Sequence, residues 1–509
     1  MRSAPKEGML MQKKLETYSL LRSATRQTLV LAVLLLGFLV HGAFASQAQS
    51  FKDDAVRGHD LIKALVQRMG GEARLKQISG VHCSMEGDAF NGLQGYDPQN
   101  IDSHQRIGAT SFTADFDYAH HRFRRRVLQE LPGGIRLDAV AYFKDGMITT
   151  AYPGGRHMVQ SAAPESAVTD GLGRFLPPLF ARRALENISS AMFVREQVEN
   201  GEPINVVEMS WDLNTRARAH LSAKDARLLS LEIVATDPLI GDDEALYTFA
   251  GENLVDGIMF PSQVTMVRRG SPYLSVRVTE ISVNPTFEDS VFASPSYQAL
   301  ATTPTTNPLG GGAYEIAGFD GGTFRVIFFD LGDSVAVFDA PGSRTRSQWV
   351  SGEIRKTLGD KPIKYVVVSH FHDDHVAGIG YYIDRGAQIV TTRANAPILQ
   401  RYAMVDSRLK PDLPAEGRPP TFLFVDESKL DIHGSGGSLN VFKMTDCLHA
   451  KDMLMAYLPS EKLLIEADLF VELAAYSPAS GALSAWMKQS TSPPVDWIVG
   501  THQGKISRA

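Results

Sequence analysis

One short stretch constrains this chain more than any other part of its sequence. The apolar run 366–368 (VVV) is typical of a buried strand, and a loop rich in metal-ligand side chains follows it directly. Within six positions that loop carries His370, His372, Asp374 and His375. Buried imidazoles and carboxylates at such density need a cation to offset their desolvation and mutual repulsion. The sequence therefore predicts a metal site at the end of a strand.

The spacing inside the loop divides these four side chains into two pairs. His370 and His372 lie two positions apart, so they can point into the same cleft. Asp374 and His375 follow after the chain has turned, and they could serve a second ion. In two-metal sites the ions lie about 3.5–4 Å apart. We therefore expect room for a second ion beside the first.

The flanking sequence makes a family resemblance visible. HFHDDH (370–375) matches the H-x-H-x-D-H signature of the metallo-β-lactamase superfamily, and other segments fit that family in the same order. VAVFD (335–339) resembles the strand that ends in an aspartate bracing the metal loop, and His449 stands in the position of the third histidine. ADL (467–469) matches the segment that supplies a bridging aspartate, and GTH (500–502) matches the final Gly-x-His.

This resemblance covers about 312–509 and implies a fold of the α+β class, the αββα sandwich. Two sheets would pack face to face, with helices outside and metal ions at one sheet edge. The implied ligand set has seven members: His370, His372 and His449 for the first ion, Asp374, His375 and His502 for the second, and Asp468 between them.

The implied ligands suggest both the metal and the chemistry. Imidazole and carboxylate suit Zn²⁺, although ligand type alone also admits Fe or Mn. Water between two divalent ions has a strongly lowered pKa, so hydroxide would form near neutral pH and attack a carbonyl or phosphoryl centre. Asp374 is the candidate catalytic residue, because it could orient that hydroxide.

The chain has only two cysteines, Cys83 and Cys447, which excludes a disulfide scaffold and a cysteine-rich zinc module. In some β-lactamases a cysteine is itself a zinc ligand, at the position that Asp468 holds here. Since Asp468 is present, we predict that Cys447 is a small residue in the wall of the site. Both cysteines are expected to be separate buried thiols.

The first 45 residues predict an export signal. Basic residues are in excess over 1–28, the run 29–40 is apolar apart from one glycine, and AFA (43–45) is a small-x-small cleavage pattern. The apolar run is about 12 residues, against the roughly 20 that span a bilayer. We expect a periplasmic or secreted protein with no stable membrane span after cleavage; an uncleaved N-terminal anchor is the alternative.

Residues 46–300 predict a β-rich domain. Apolar residues over 61–69 recur at helical spacing, and a second helical stretch is expected over 176–196. Elsewhere turn signals such as Pro132-Gly133-Gly134 separate strand patterns, among them the alternation over 274–279. The sum is a long antiparallel, curved sheet with a few helices.

This domain also resembles, more distantly, the periplasmic lipoprotein-carrier fold, a curved sheet wrapped around helices. The initial helix and the segments 255–266 and 283–295 carry that resemblance. Residues 301–313, rich in Thr, Pro, Asn and Gly, are the predicted linker to a metallo-β-lactamase-fold domain over 314–509. We expect the N-terminal domain, or the loop 401–420, to shape the substrate pocket.

Charge patterns offer little sign of a charged partner. The 51 Lys and Arg against 57 Asp and Glu give a net charge of −6, which argues against a general nucleic-acid binder. Arg122, Arg124 and Arg126 share one face of a predicted strand. They could bind an anion, but a solvated strand face is favoured because the segment has no second basic cluster.

Three functions fit these features. The leading one is an exported metal-dependent hydrolase with a dinuclear centre, acting on an ester, lactone, amide or thioester of a small molecule. If the N-terminal domain encloses an apolar cavity, we expect that substrate to have an apolar portion. The second is a mononuclear iron sulfur dioxygenase of the same fold. The third is a periplasmic protein that binds lipid or another apolar ligand, with a structural metal domain. Seven ligands argue against the third, because structural zinc needs four. The sequence leaves the oligomeric state open.

Overall fold

The computed structural model of the protein describes residues 50–508 apart from several short segments. The segments outside this description are residues 91, 102–105, 155–156, 164–167, 169–170, 213–214, 238–240, 269, 300–302, 320–323, 404–417, 446, 471–477 and 503–506. The predicted export signal and most of the loop 401–420 therefore lie outside the described residues. Of the helices in the described ranges, none is both long and apolar enough to cross a membrane.

The N-terminal domain is built around a few helices. They include α1 (residues 50–68), α2 (Glu72–Lys76) and α3 (Pro177–Glu186). The apolar side of α1 is buried as its spacing predicts, with Ile62 and Leu65 fully covered. Two prolines begin α3, where they cost no hydrogen bond because the N–H groups of a first helical turn have no acceptor within the helix.

One long sheet surrounds these helices. Its strands are β1 (Gly80–Ala89), β2 (Gly108–Asp117), β3 (Arg122–Leu131), β4 (Ile135–Lys144), β5 (Met147–Tyr152), β6 (His157–Ala162), β7 (Met192–Glu199), β8 (Glu202–Asp212), β9 (Thr215–Ser222), β10 (Leu228–Asp237), β11 (Gly241–Ala250), β14 (Gln263–Arg268), β15 (Ser271–Val283) and β16 (Gln298–Ala299). A separate hairpin joins β12 (Asn253–Val255) to β13 (Ile258–Phe260). The order is β16-β6-β5-β4-β3-β2-β1-β15-β14-β11-β10-β9-β8-β7, and every described neighbour pair except β16 with β6 is antiparallel.

The sheet curves so that both of its halves reach the same helices. Val81 of β1 and Leu231 of β10 belong to one buried cluster with Leu65 of α1, although their strands are far apart in the sheet. Trp211 of β8 stacks on Phe180 of α3 with ring centroids 5.5 Å apart. The predicted β-rich domain with a curved antiparallel sheet is therefore confirmed.

The predicted helical stretch 176–196 is only partly helical. The α3 helix ends at Glu186, and the chain returns to the sheet as β7 from Met192 onward. The backbone of β7 forms its hydrogen bonds with β8. Just before β7, the chain also packs closely against α1: a β-carbon added to Gly58 would lie 2.8 Å from the Ala191 carbonyl oxygen. Tertiary pairing, which a local pattern does not contain, overrides the helical pattern over 192–196.

Three of the arginines of β3, at alternate positions, lie on one face of this sheet, and each of these three has a carboxylate partner. Arg122 pairs with Asp117 at 2.9 Å, Arg124 with Asp115 at 3.2 Å, and Arg126 with Asp138 at 2.8 Å. The row is less solvated than the sequence suggested, since the Arg122 side chain is only 14% exposed and that of Arg124 26%. Because each charge is already paired, the row gives no support to an anion-binding patch.

The C-terminal domain contains two sheets. The first, in the order β17 to β23, comprises β17 (Thr305–Gly310), β18 (Ala313–Phe319), β19 (Phe324–Asp330), β20 (Val335–Phe338), β21 (Ile363–Val367), β22 (Gln388–Thr391) and β23 (Thr421–Phe424). The second, in the order β24 to β29, comprises β24 (Lys429–His433), β25 (Ser438–Met444), β26 (Met453–Leu458), β27 (Leu463–Glu466), β28 (Trp497–Gly500) and β29 (Ser507–Arg508). Pairing is parallel from β20 to β23 and between β27 and β28, and antiparallel elsewhere.

The two sheets pack face to face, and apolar side chains alternate between the two faces of their strands. On β19, Ile327 and Phe329 enter the core between the two sheets, whereas Val326 and Phe328 face the helices. The helices outside are α4 (Arg344–Leu358), α5 (Asp373–Val376), α6 (Ile379–Asp384), α7 (Ala396–Ala403) and α8 (Pro478–Met487). This is the predicted αββα sandwich.

The predicted linker 301–313 contains regular structure. Its residues Thr305–Gly310 form β17, the outer strand of the first sheet, paired with β18. Pro308 is tolerated there because an edge strand has one side without a ladder. The C-terminal sandwich therefore begins within the segment that its composition marked as a connection.

Candidate metal centre

The candidate ligands come from loops at one edge of the sandwich. His370 and His372 directly follow β21, and the short α5 helix carries Asp374 and His375. In the second sheet Asp468 follows β27, His502 follows β28, and His449 lies in the loop between β25 and β26. Because β27 and β28 run parallel, their carboxyl ends meet at the same edge. All seven candidate ligands are brought together.

Their ligand atoms form two groups that share one carboxylate. The groups are His370, His372, His449 and Asp468, and Asp374, His375, His502 and Asp468, with the ligand atoms of each group lying within 4.8 Å of one another. Asp468 Oδ2 lies 2.9 Å from His449 Nε2 and 3.2 Å from His375 Nε2, so it faces both groups. Asp468 therefore occupies the position of a bridge.

Hydrogen bonds on the outer side of the first group fix the proton on each ring. The Nε2–H of His372 donates to the Gly95 carbonyl at 2.7 Å, and the Nδ1–H of His449 donates to the Pro132 carbonyl at 3.2 Å. A carbonyl only accepts, so these nitrogens must be the protonated ones. The bare nitrogens, His372 Nδ1 and His449 Nε2, then face each other at 3.0 Å.

Two lone pairs at that distance repel unless a cation lies between or beside them. The third member of the group points the same way: His370 Nδ1 lies 3.0 Å from the Ser369 hydroxyl, and its buried Nε2 has no hydrogen-bond partner among the described residues. Three bare imidazole nitrogens and a carboxylate match the donor set of a Zn²⁺-type ion. These residues therefore fit a metal ion.

The second group is held by a buried aspartate of its own domain. Asp339 accepts from the Ser369 amide at 2.7 Å and from His375 Nδ1 at 2.9 Å. This leaves His375 Nε2 facing inward, 3.1 Å from His502 Nε2. His502 in turn lies 3.3 Å from Asp374 Oδ2, and the Phe324 ring covers it with centroids 4.2 Å apart.

Burial and charge set different protonation in the two groups. Burial lowers the pKa of His370 to about 4 and that of His372 well below its ordinary value, which leaves both rings neutral as ligands must be. At His502 burial opposes the charge, but Asp468 and Asp374 outweigh it and raise the pKa to about 9. The carboxylates thus favour positive charge in the second group, which a divalent ion would supply in place of the ring protons.

The loop that carries Asp468 is held by a neighbouring buried side chain. Asp468 has a left-handed backbone with φ 59°, and Glu466 Oε2 accepts from the Leu469 amide at 2.9 Å and from the Phe470 amide at 3.2 Å. Burial raises the pKa of Glu466 to about 8. This bracing residue was missed in the sequence, where it looks like the end of an apolar strand.

Cys447 borders the site without joining either group. It is buried, and its sulfur accepts from the His449 amide at 3.3 Å and touches the Met453 sulfur at 3.1 Å. Cys83 lies in the core of the other domain, and both thiols are free. The prediction of separate buried thiols is confirmed.

Three contacts at the site come from the N-terminal domain and were also missed. Besides the carbonyls of Gly95 and Pro132, the Gln94 side-chain amide donates to Asp374 Oδ1 at 2.9 Å. The sequence marks 132–134 only as a turn, and nothing in the pattern around Gln94 distinguishes it from other loop residues. Such contacts span 277 to 317 residues of chain, which no local pattern encodes.

Comparison with known proteins agrees with this fold. The family model of the metallo-beta-lactamase superfamily matches residues 326–502. Together with the sandwich and the His/Asp cluster, it identifies the C-terminal domain as a metallo-β-lactamase-fold domain. The family match over 326–502 and the His/Asp cluster together support a metal-dependent hydrolase as the coarse function.

The solved structures that are similar cover about two fifths of this chain. A metallo-beta-lactamase from Pontibacter korlensis is 17% identical, with 40% of this chain and 94% of that chain covered and a TM-score of 0.32. A B3 metallo-beta-lactamase with an active-site glutamic acid is 17% identical, covering 41% and 84% at a TM-score of 0.30. A sec-alkyl sulfatase is 16% identical, covering 39% and 38% at a TM-score of 0.30. No curated protein matches the sequence.

Proposed function

We propose that this protein hydrolyses an ester, lactone, amide or thioester bond of a small molecule at a dinuclear centre, with two Zn²⁺ ions as the favoured metals. The observation that carries the proposal is the pair of four-residue groups sharing Asp468. A closed structural zinc site needs only one such group. Two groups around a shared carboxylate instead support a centre that works on a substrate.

The protein groups divide the work of hydrolysis. When bound, two divalent ions would supply Lewis acidity and lower the pKa of water. Asp374, half-buried at the mouth of the second group, keeps Oδ1 on Gln94 and turns Oδ2 toward His502. In that position it can orient an attacking water and accept its proton. Water adds across the scissile bond, so that an acid and an alcohol, amine or thiol leave.

Apolar side chains around the centre support a substrate with an apolar portion. Three of the large exposed hydrophobic residues lie within two positions of the site: Tyr96 (37% exposed), Leu448 (56%) and Phe470 (40%). Tyr96 follows Gly95, Leu448 precedes His449, and Phe470 follows the Asp468 loop. Exposed apolar side chains beside a cluster of polar groups are typical of a ligand-binding site.

Export and a small-molecule partner complete the proposal. The basic segment, apolar run and AFA pattern within residues 1–45 support cleavage and release into the periplasm or medium. The net charge of −6 and the balanced arginines of β3 give no support to a nucleic-acid partner. Sequencing the mature N-terminus after expression would test the cleavage, which we expect near Ser46.

The other two candidate functions predict different compositions. An iron sulfur dioxygenase would need one iron and would leave the second group without a role. A binding protein with a structural metal would turn over none of the bonds above. Neither of these two functions explains why Asp374, His375 and His502 lie around Asp468, the carboxylate that they share with the first group.

The first experiment is elemental analysis of the purified chain, followed by a panel of ester, lactone, β-lactam, thioester and phosphodiester substrates. We expect about two zinc ions per chain and at least one hydrolysed bond class. Asp374→Ala should lower kcat at least about 100-fold, in the range of general acid–base catalysis. The matched control is Asp360→Ala, which removes an 89%-exposed carboxylate of the same domain. One iron with oxygen uptake, or full activity of Asp374→Ala, would overturn the proposal.

A further inference from the structure

We infer that the N-terminal domain is a working part of the metal centre, whose backbone carbonyls and Gln94 position three of the candidate ligands. The inference deepens the proposed function and rests on it. It assigns positioning roles to Gln94, Gly95 and Pro132, which lie in two separate segments of the N-terminal domain. The roles are the orientation of His372, His449 and Asp374.

The first of these segments is inserted into the C-terminal domain and fixed there at several points. Leu93 and Ile101 pack against the core cluster of the sandwich. The Tyr96 carbonyl accepts from the Lys451 amide at 2.9 Å, and the Lys451 ammonium lies 3.5 Å from Asp97. Anchored on both sides, the Gly95 carbonyl is held against His372.

The second segment is the turn between β3 and β4, and its close approach depends on glycine. Gly133 has φ +81°, and a β-carbon there would lie 3.2 Å from both the α- and β-carbons of His449. Gly134 approaches its neighbour more closely still, since a β-carbon there would lie 2.8 Å from the δ-carbon of Pro478 at the start of α8. The turn can thus bring the Pro132 carbonyl to His449 only because no side chain intervenes.

Gln94 acts on the other metal group. Its amide nitrogen reaches Asp373 and donates to Asp374 Oδ1 at 2.9 Å, while Asp374 Oδ2 stays directed at His502. An amide donor that occupies one carboxylate oxygen decides which oxygen remains for an ion. Gln94 therefore sets the rotamer of Asp374, in the way that outer hydrogen-bond partners orient ligands elsewhere.

The two ligand groups depend on the N-terminal domain in different ways. Two histidines of the first group donate their outer hydrogen bonds to carbonyls of the N-terminal domain, whereas His375 of the second group donates to Asp339 of its own domain. Disturbing the 132–134 turn should therefore weaken the first site in particular. Removing the Gln94 amide should weaken the second.

The test measures metal binding by the full-length chain after its metal has been removed. Co²⁺ is added first, because its visible spectrum reports the geometry of the ligands. The affinity for Zn²⁺ is then measured in competition with a chelator. Gly133→Ala is compared with Gly201→Ala, since Gly201 has φ +82° in another turn and nothing within 4 Å of its added β-carbon. Both variants carry the same backbone strain. We expect Gly133→Ala alone to weaken one of the two sites about 10-fold or more and to alter the Co²⁺ spectrum.

A second pair of variants avoids backbone strain. Gln94→Met keeps the length of the side chain but removes the donor, and Gln99→Met makes the same change at an exposed position of the same segment. We expect Gln94→Met alone to weaken the other site about 10-fold. If the parent chain binds no metal, the proposed function fails; if the parent binds two ions and each variant matches its control, the N-terminal positioning role fails instead.

Discussion

At the scale of single residues, Asp339 shows how one carboxylate orients a candidate metal ligand that lies 36 residues away in sequence. It is fully buried with φ +62°, and it accepts from the Ser369 amide, the Ser369 hydroxyl and His375 Nδ1. Because a carboxylate can only accept, it holds the His375 proton on Nδ1. The inward Nε2 is thereby left free for an ion.

Asp339→Asn should separate this tautomer effect from folding. The amide oxygen can still accept from the Ser369 amide, but the amide nitrogen would donate to His375 Nδ1 and drive the ring proton to Nε2. We expect bound zinc to fall from two ions to one, with a loss of about 1 kcal/mol in the free energy of unfolding. Elemental analysis and denaturant unfolding measure the two effects.

The matched control is Asp145→Asn. Asp145 shares the left-handed backbone, with φ +52°, but lies exposed in the turn between β4 and β5. It should change neither zinc content nor stability noticeably. Two bound ions in Asp339→Asn would show that the Asp339 carboxylate does not set the state of His375.

At the scale of elements, cross-strand pairs stabilise the long N-terminal sheet. His82 of β1 and Asp115 of β2 are directly opposite in register, with Nδ1 and Oδ1 2.6 Å apart. The hydrogen bond to Asp115 raises the pKa of His82, burial lowers it, and the charges of Asp115 and Glu280 add to the increase. The protonated ring is thus favoured by the folded sheet.

This raised pKa gives stability a definite pH dependence. The contribution is complete below the unfolded-state pKa of about 6.5 and disappears as the pH rises through the higher folded-state value. His82→Gln should therefore cost about 0.5–1 kcal/mol at pH 6 and much less near pH 9. Thermal unfolding of both proteins at the two pH values measures the difference.

A histidine exposed on another strand provides the comparison. His433 lies at the end of β24, and His433→Gln should leave the unfolding temperature unchanged at both pH values. A penalty for His82→Gln that is equal at pH 6 and pH 9 would mean that packing, and not the charge on the ring, accounts for the effect.

At the scale of the whole molecule, the two domains meet at the candidate metal centre, so metal binding there should affect both domains. Zn²⁺ at about 100 times its Kd should stabilise the folded chain by about 2.7 kcal/mol. Because Gly95 and Pro132 receive hydrogen bonds from candidate ligands, ordering those ligands should also order the segments that contain them. The N-terminal domain should respond although it supplies none of the seven candidate ligands.

Hydrogen exchange of the metal-free and zinc-loaded chain tests this coupling. We expect slower exchange in peptides covering 93–101 and 131–134, together with those covering 369–376. Peptides from β7 and β8, which lie at the far edge of the N-terminal sheet, serve as the internal reference and should not change. Protection confined to the C-terminal domain would contradict the coupling.

The sequence by itself determined a metal site in the loop 370–375, because that signal lies within a few residues of chain. The sandwich and the remaining candidate ligands, His449, Asp468 and His502, followed from the resemblance to the metallo-β-lactamase superfamily that this loop and its flanking segments carry. Only the tertiary structure decided that 192–199 pairs as a strand, that 305–310 joins the sheet, and that Gln94, Gly95 and Pro132 reach the site. Backbone carbonyls look alike in every residue, so which of them meets a histidine some 300 residues away depends on how the domains pack.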